Sequence, residues 1–267
     1  MHLQPLVPTA GLQHLTIAGK QGALALSHCT GSAIAMVFVH ADPGSSRQWV
    51  DLIKYFSARH GLVAYDTRGA GASAAAENDD YSFQGRSEDL AQVVDVLGYK
   101  KIVIVAHSGG AAVAMQYATD NAERVAGLFL LDPPADPQQL PEQMWSEIIA
   151  TLKGEDAEQT FLSFIASIAG SDTAVRAQIQ QDAQKIAERA RPAMTQALSK
   201  WDPAVAYRGV TAPVYMLTTP ENIGLVKLWD LQDGQHSVSH SSGHWIQLDD
   251  PDLVIAKLTG FLNQLEN

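Results

Sequence analysis

One serine stands where an apolar run meets an alanine-rich stretch, in KKIVIVAHSGGAAVAMQYA. The β-branched run 102–106 predicts a strand buried on both faces, and the small residues 111–118 favour a helix. A strand that turns directly into a helix strains the corner residue and requires small residues two positions before and after it, which Ala106 and Gly110 provide. Ser108 therefore stands at the corner, and its hydroxyl would be a nucleophile if a base lies within hydrogen-bond reach.

Strand-like and helix-like segments alternate around this corner, which favours a mostly parallel sheet with helices on both faces. An opening hairpin is expected on either side of GKQG, and the alternation continues to about residue 132. Helical periodicity then runs over 133–209 without a strand, and strands resume after residue 210. We therefore predict an α/β core of residues 1–132 and 210–267 with an eight-stranded sheet, and a helical cap of residues 133–209 inserted between strands six and seven.

The composition limits the classes of partner. The 267 residues are 46% hydrophobic and 18% charged, as in one globular domain, and the formal net charge of -11 argues against nucleic acid or an anionic membrane surface. The N-terminal residues lack a signal-peptide pattern and no run of about 18 apolar residues follows, so we expect a soluble, cytoplasmic protein. Cys29 is the single cysteine, so no internal disulfide is expected, and the His and carboxylate spacing predicts neither a metal nor another cofactor.

Five stretches together resemble the α/β-hydrolase fold superfamily. AHSGG is similar to its Gly-x-Ser-x-Gly nucleophile elbow, with Ala106 in place of the first glycine. VFVHADPGSSRQW resembles its His-Gly-x-x-Gly oxyanion loop, with Ala41 in place of a glycine, and AYDTRGAGAS resembles its turn after the fourth strand. FLLDPP ends the sixth strand, and SSGHWIQLDDPD resembles the Gly-His loop before the last helix. The resemblance implies the α/β-hydrolase fold, with serine, acid and histidine in the family's chain order.

The resemblance also implies a role for each side chain in acyl transfer. Ser108 would attack a carbonyl, and His244 would take the serine proton because imidazole titrates near neutral pH. The backbone amides of Gly109 and Asp42 would bind the oxyanion. The Asp42 carboxylate would oppose that negative charge unless it turns away or is paired, and Arg47 is a candidate partner.

The acid departs from the commonest pattern of the family. The usual Gly-x-x-Asp turn after the seventh strand is replaced by MLTTPENIG, in which Glu221 is the one carboxylate. Asp132, at the end of the sixth strand, has the position that a minority of the superfamily uses. We favour Asp132 and keep Glu221 as the alternative, because a strand terminus fixes geometry better than a Pro-Glu-Asn loop.

Other residues near these motifs are candidates for structural or pocket roles. Asp66 and Arg68 are expected to form a structural pair in their turn, and His40 and His107 to pack and bond beneath the elbow. Most cap aromatics have core-like spacing and are expected to pack within the cap. One or two of them are expected to line a pocket. The candidate pocket residues are His40, Ala41, His107, Trp145, Phe161, Phe164 and Trp245.

Three functions stay open at this point. The favoured one is a serine hydrolase acting on an ester or related carbonyl of a small, largely apolar molecule. The second follows from a resemblance to cofactor-free 3-hydroxy-4-quinolone 2,4-dioxygenases, in which a His-Asp dyad deprotonates a heteroaromatic alcohol that then reacts with oxygen. His107 before Ser108 and the missing acid after the seventh strand favour it. The third is a non-catalytic ligand-binding receptor, which the alanines at positions 41 and 106 favour.

Overall fold

The computed structural model describes residues 11–31, 33–226, 235–240 and 243–266. Residues 1–10 lie outside the described residues, and the expectation of no signal peptide partly depends on them. No helix in the described ranges is both long enough and apolar enough to cross a membrane.

In the described residues, eight strands form one sheet in the order β1-β2-β4-β3-β5-β6-β7-β8. The strands are β1 (Gln13–Gly19), β2 (Gly22–Cys29), β3 (Ala33–Val39), β4 (His60–Tyr65), β5 (Ile102–His107), β6 (Val125–Leu131), β7 (Val214–Thr218) and β8 (His236–Val238). β2 runs antiparallel to β1 and β4, and every later pair is parallel. The predicted opening hairpin and the mostly parallel sheet are confirmed.

Ten α-helices connect these strands in the described part of the chain. They are α1 (Val50–Phe56), α2 (Phe83–Val96), α3 (Gly109–Asp120), α4 (Glu142–Thr151), α5 (Ala157–Ile168), α6 (Thr173–Gln184), α7 (Ala190–Ser199), α8 (Pro203–Gly209), α9 (Ile246–Asp249) and α10 (Pro251–Glu266). Helices α4 to α8 all fall between β6 and β7, in the segment where the sequence predicts the cap. That this segment is a separate domain stays a prediction.

The core lies in two layers, one on each face of the sheet. β3 shows the division, because Val37 and Val39 pack with α2 and α3, whereas Met36 and Phe38 pack with α1 and α10. All four side chains are fully buried. Covering both faces is what an all-apolar parallel strand requires, so the central strands are held rigidly and their carboxyl ends form a firm edge.

A buried carboxylate joins two loops at that edge. Asp66 follows β4, and its Oδ1 accepts from the amide of Ser46 at 2.7 Å while its Oδ2 accepts from the amide of Ala72 at 2.8 Å. Gly71 has φ +53, and a Cβ there would overlap the Asp66 carboxylate. The turn after β4 is therefore shaped around Asp66, which also fixes the loop between β3 and α1 at Ser46.

The expected pair of Asp66 with Arg68 is wrong. Arg68 donates instead from Nε to Asp89 Oδ2 of α2 at 2.6 Å, and its Nη1 lies 3.4 Å from Asp80 Oδ2. The two side chains diverge because Asp66 is used by backbone amides, whereas Arg68 is buried against the first turns of α2. Asp66 thus ties the turn to the segment between β3 and α1, and Arg68 ties it to α2.

Replacing Asp66 with Ala is expected to lower the free energy of unfolding by about 2–4 kcal/mol, because two buried amides lose a charged acceptor. Urea unfolding measures the loss. The control is Asp51→Ala, which removes an exposed carboxylate paired with Lys54 and should cost less than about 0.5 kcal/mol. Equal losses in the two variants would contradict the role given to Asp66.

Candidate active site

Ser108 occupies a strained corner between β5 and α3. Its backbone angles are φ 52 and ψ -127, outside the region that residues with a Cβ prefer. At Gly110, two residues further, a Cβ would lie 2.6 Å from the carbonyl oxygens of Val39 and His40. Glycine at this position lets α3 begin directly against the end of β3, as the nucleophile-elbow geometry requires. Ala106 is accommodated inside β5, where its side chain is fully buried.

The backbone of His244 is fixed from two sides. Its amide donates to the carbonyl of Ile168 at 3.0 Å, and its carbonyl accepts from His107 Nε2 at 2.9 Å. A Cβ at Gly243 would overlap the backbone of Gly170, so the close approach of that segment accounts for the glycine before the histidine. The imidazole of His244 is therefore presented on a well-anchored loop.

Asp132 holds the ring of His244. Its Oδ2 lies 2.6 Å from His244 Nδ1. Its Oδ1 accepts from Thr218 Oγ1 and the Thr219 amide, both at 2.8 Å, and from Asn222 Nδ2 at 3.1 Å. Asp132 has φ 37, so the residue after β6 is a second position of unusual backbone conformation at this edge. The carboxylate is saturated with donors and leaves His244 Nε2 as the ring nitrogen that can take a proton.

The alternative acid, Glu221, is exposed and forms no hydrogen bond or ion pair with His244 within the described residues. The stretch TTPEN contributes differently from what the sequence predicts, because it supplies Thr218, Thr219 and Asn222 as donors to Asp132. A signal was present in the sequence: two threonines and an asparagine at the end of a parallel strand are donors suited to a carboxylate on the neighbouring strand.

The same contacts set the charge of the acid. Burial by itself would raise the pKa of Asp132, but the hydrogen bond and charge of His244 and the donors of Thr219 and Thr218 outweigh it and lower the pKa to about 2. Asp132 is therefore a carboxylate at every pH at which the protein would work, as the partner of an imidazolium must be.

Two further histidines lie beneath this site and are structural by their contacts. His40 Nε2 accepts from the Thr67 amide at 2.8 Å, and its Nδ1 donates to the Ala41 carbonyl at 2.7 Å. His107 donates from Nε2 to His244, and its Nδ1 accepts from Gln247 Nε2 at 3.1 Å. Burial lowers the pKa of His40, and burial together with His244 lowers the pKa of His107 well below its usual value. Both rings are neutral and fully used in positioning.

The expected oxyanion hole lies between the loop after β3 and the start of α3. Within the described ranges, neither the amide of Asp42 nor that of Gly109 donates to a protein acceptor. A Cβ at Gly109 would overlap the Asp42 carboxylate, so this carboxylate lies directly against the elbow. A free amide at the N-terminus of α3 and a second one in the loop after β3 are suited to binding an anion.

The suggested pairing of Asp42 with Arg47 is wrong. Asp42 Oδ1 accepts from Arg86 Nη1 of α2, whereas Arg47 Nη1 binds Asp182 Oδ1 of α6 at 3.1 Å. Ser45 also donates to Asp182 Oδ2 at 2.9 Å. Arg47 points toward the helical segment between β6 and β7, so the oxyanion loop is tied to α6 rather than to its own aspartate. Arg86 was missed because nothing local to it indicates the contact.

No hydrogen bond joins Ser108 and His244 in the part of the chain that the structure describes. The His107 and His244 rings are close, with centroids 4.6 Å apart, and Trp245 packs edge-on to His244 at 5.1 Å. Catalytic serine–histidine hydrogen bonds are often long or poorly aligned without substrate, so the missing bond does not by itself exclude a catalytic pairing of Ser108 with His244.

The candidate pocket residues fall into three groups. His40, Ala41, His107 and Trp245 are buried around the elbow and the histidine loop. Trp145 is half-buried and donates to the Pro137 carbonyl, and Phe161 is half-buried beside the Arg191 guanidinium. Phe164 is 59% exposed, because its neighbour Ile165 takes the buried side of α5. That exposure does not support Phe164 as a pocket wall. Among the described residues, no group of three His, Cys, Asp or Glu side chains is placed to hold a metal ion.

A family model described as "Alpha/beta hydrolase family" matches residues 36–257. The chain belongs to the alpha/beta hydrolase family. A soluble epoxide hydrolase from Corynebacterium sp. (strain C12) is 34% identical over 104 residues, which are 38% of this chain and 35% of the relative. A haloalkane dehalogenase from Mycolicibacterium smegmatis is 28% identical over 170 residues, 61% of this chain and 53% of the relative. The matches thus span about a third to a half of these curated relatives.

Solved structures agree with the fold of this alpha/beta hydrolase. An enol-lactonase from Burkholderia xenovorans LB400 superposes with a TM-score of 0.80 at 16% sequence identity, over 93% of this chain and 100% of that one. At this identity the likeness concerns the fold alone.

The depressed pKa of Asp132 makes the stability of this alpha/beta hydrolase depend on pH. The carboxylate is favoured in the folded state, so its stabilisation is present above the ordinary value of 3.8 and is lost as the pH falls toward 2. Asp132→Asn removes this titration. The difference in free energy of unfolding between wild type and Asp132→Asn should shrink by about 1 kcal/mol between about pH 6 and about pH 3, and by about 2 kcal/mol by about pH 2, in urea titrations. A gap that stays constant with pH would contradict the charge state given to Asp132.

Proposed function

We propose that this alpha/beta hydrolase is a serine hydrolase that cleaves an ester or related carbonyl of a small, largely apolar molecule by a Ser-His-Asp mechanism. The observation that carries the proposal is the 2.6 Å hydrogen bond between Asp132 Oδ2 and His244 Nδ1. It orients the ring and stabilises the imidazolium that forms when Nε2 takes a proton. Support also comes from Ser108, which stands in the strained elbow at the same edge of the sheet.

Each residue then has a defined step. Ser108 Oγ attacks the carbonyl carbon as its proton passes to His244 Nε2, and the amides of Asp42 and Gly109 bind the oxyanion. The imidazolium gives that proton to the leaving oxygen, and the acyl group stays on Ser108. Water then attacks the acyl-serine while His244 takes one of its protons, and the proton returns to Ser108 Oγ as the acid leaves.

The type of nucleophile argues for a carbonyl substrate over the substrates named for the curated relatives. Epoxides and haloalkanes react at saturated carbon, where a serine oxygen would become an ether that water and a histidine base do not cleave. A carbonyl substrate gives a serine ester, which water does cleave. Ser108 at the elbow therefore favours esters, lactones or related acyl compounds for this chain.

Contacts of the helical segment support its role as a cap above the site. Asp182 of α6 binds Ser45 and Arg47 in the oxyanion loop, and Ile168 at the end of α5 binds the backbone of His244. Both contacts are at the carboxyl edge of the sheet, where open α/β sheets bind ligands. The proposal therefore includes a small substrate that is held under this cap. It also includes a cytoplasmic location for the protein.

One observation favours the second candidate, a cofactor-independent ring-cleaving dioxygenase of a 3-hydroxy-4-quinolone type substrate. The dyad of His244 and Asp132 is formed without a hydrogen bond from Ser108 in the described residues. Such a dyad can deprotonate a heteroaromatic hydroxyl group with no nucleophile. The two candidates differ in how strongly they depend on Ser108.

Replacing Ser108 with Ala should lower the turnover of p-nitrophenyl esters by at least about 10³-fold, because no acyl-enzyme can form. A fluorophosphonate probe should add to Ser108 in the wild type, as located by mass spectrometry. The matched control is Ser46→Ala: its hydroxyl is buried in the loop after β3 without a partner in the described residues, and both activities should survive its loss.

Absence of both the adduct and ester turnover would contradict the hydrolase proposal. Oxygen consumption with a 3-hydroxy-4-quinolone, lost in His244→Ala and only moderately reduced in Ser108→Ala, would then establish the dioxygenase. Saturable binding of a ligand with neither reaction would indicate the receptor.

A further inference from the structure

The Asp42 carboxylate lies at the point where substrate would meet the elbow. Its atoms fill the space that a Cβ at Gly109 would need, and Gly109 directly follows Ser108. The side chain is 20% exposed, whereas those of Arg86 and Asp132 are 1% and 3% exposed. Among the charged side chains around the elbow, Asp42 is therefore one that is partly exposed to solvent.

The Asp42 carboxylate is bound by the buried guanidinium of Arg86. Arg86 Nη1 of α2 donates to Asp42 Oδ1, and the Arg86 guanidinium lies 4.7 Å from the centre of the Phe83 ring. Asp42 Oδ2 has no hydrogen-bond partner in the described residues 11–31, 33–226, 235–240 and 243–266. Oδ1 thus anchors the group, and Oδ2 is an acceptor without a donor in the described residues.

A fixed acceptor beside an oxyanion hole discriminates between substrates by charge. A developing oxyanion and the carboxylate would repel each other, and the charge of Arg86, which is bound to Oδ1, would offset part of this repulsion. A substrate that donates an N–H or O–H to Oδ2 regains the lost interaction. A substrate that lacks the donor leaves the acceptor desolvated, and an anionic substrate adds a second repulsion.

We propose that Asp42 is a specificity-determining residue: it selects carbonyl substrates that carry a hydrogen-bond donor or a positive charge on the atom next to the attacked carbonyl, and it rejects those that carry an anion there. This inference rests on the serine-hydrolase proposal and adds the class of substrate to it. Arg86 is the residue that positions the carboxylate.

Three phenyl esters of nearly equal size test the proposal: phenyl isobutyrate, phenyl lactate and phenyl hydrogen methylmalonate. They differ only in a methyl, hydroxyl or carboxylate group on the α-carbon. For the wild type, kcat/KM from phenol release should be at least about tenfold higher for the lactate than for the isobutyrate, and about tenfold lower for the methylmalonate. The ratios between esters are the readout, since a general loss of folding or of catalytic power would change all three rates together.

Two variants separate charge from hydrogen bonding. Asp42→Asn keeps an acceptor for Arg86 but removes the charge, so the methylmalonate should gain at least about tenfold relative to the isobutyrate. The double variant Asp42→Leu with Arg86→Met removes the acceptor without leaving an unpaired buried cation, so the preference for lactate should disappear. The control Glu77→Gln changes the net charge equally at an exposed site and should keep the wild-type ratios. Ratios that stay within about twofold of wild type in both Asp42 variants would overturn the inference.

Binding to the Ser108→Ala protein distinguishes this inference from the proposed function. Calorimetric titration with phenyl lactate and phenyl isobutyrate should show the same preference for the lactate, and Asp42→Leu with Arg86→Met in that background should remove it. A binding preference without ester turnover in the wild type would refute the hydrolase and keep Asp42 as the selecting group. Turnover without any preference would refute the role of Asp42 alone, and absence of both would refute both.

Discussion

The hydrogen bond between Asp132 and His244 joins residues 112 positions apart in the chain, and it exists because strand ends stand side by side. β6, β7 and β8 are adjacent and parallel, so the residue after β6, the threonines ending β7 and the loop after β8 meet at one edge. β5 precedes them in the sheet, and the Ser108 amide donates to the Leu131 carbonyl at the end of β6. The order of the strands thus brings Ser108, Asp132 and His244 to the same edge of the sheet.

Two buried aspartates near this edge show how contacts, rather than burial alone, decide charge. Burial raises the pKa of Asp182, and Arg47 and Ser45 lower it only in part. Asp132 is buried as well, but His244 together with amide and hydroxyl donors lowers its pKa to about 2. Asp132 is therefore a carboxylate, whereas burial keeps the pKa of Asp182, which links α6 to the loop after β3, above its ordinary value.

The parts of this site that follow from local sterics were predictable from the sequence. Gly110 must be small because β3 passes beneath it, and the strand, turn and helix around Ser108 follow from patterns within twenty residues of the chain. The ion pairs were not predictable, since Arg86 reaches Asp42 across 44 positions and Arg68 turns from Asp66 to α2. Which of several charged side chains meet is decided by helix packing, which leaves no local trace in composition or spacing.

The position of Asp132 at a strand end was enough to predict it as the acid. The donors that bind its carboxylate were not predicted. Thr218, the last residue of β7, and Thr219 and Asn222 after it donate to its second oxygen. The position after β7 that holds the acid in most of the family thus supplies donors here, and the carboxylate follows β6. The ends of β6 and β7 thus together supply a carboxylate and its hydrogen-bond donors, but β6 supplies the carboxylate and β7 the donors.

The amide of His244 is bonded to Ile168, the last residue of α5, and this has a consequence for how substrate reaches the site. A swing of α5 away from the sheet would break one of the two backbone bonds that hold the histidine. In the proposed hydrolase, His244 would then be held by both bonds only while α5 lies against the sheet. The position of this helix would thus decide whether the imidazole is held in place for proton transfer.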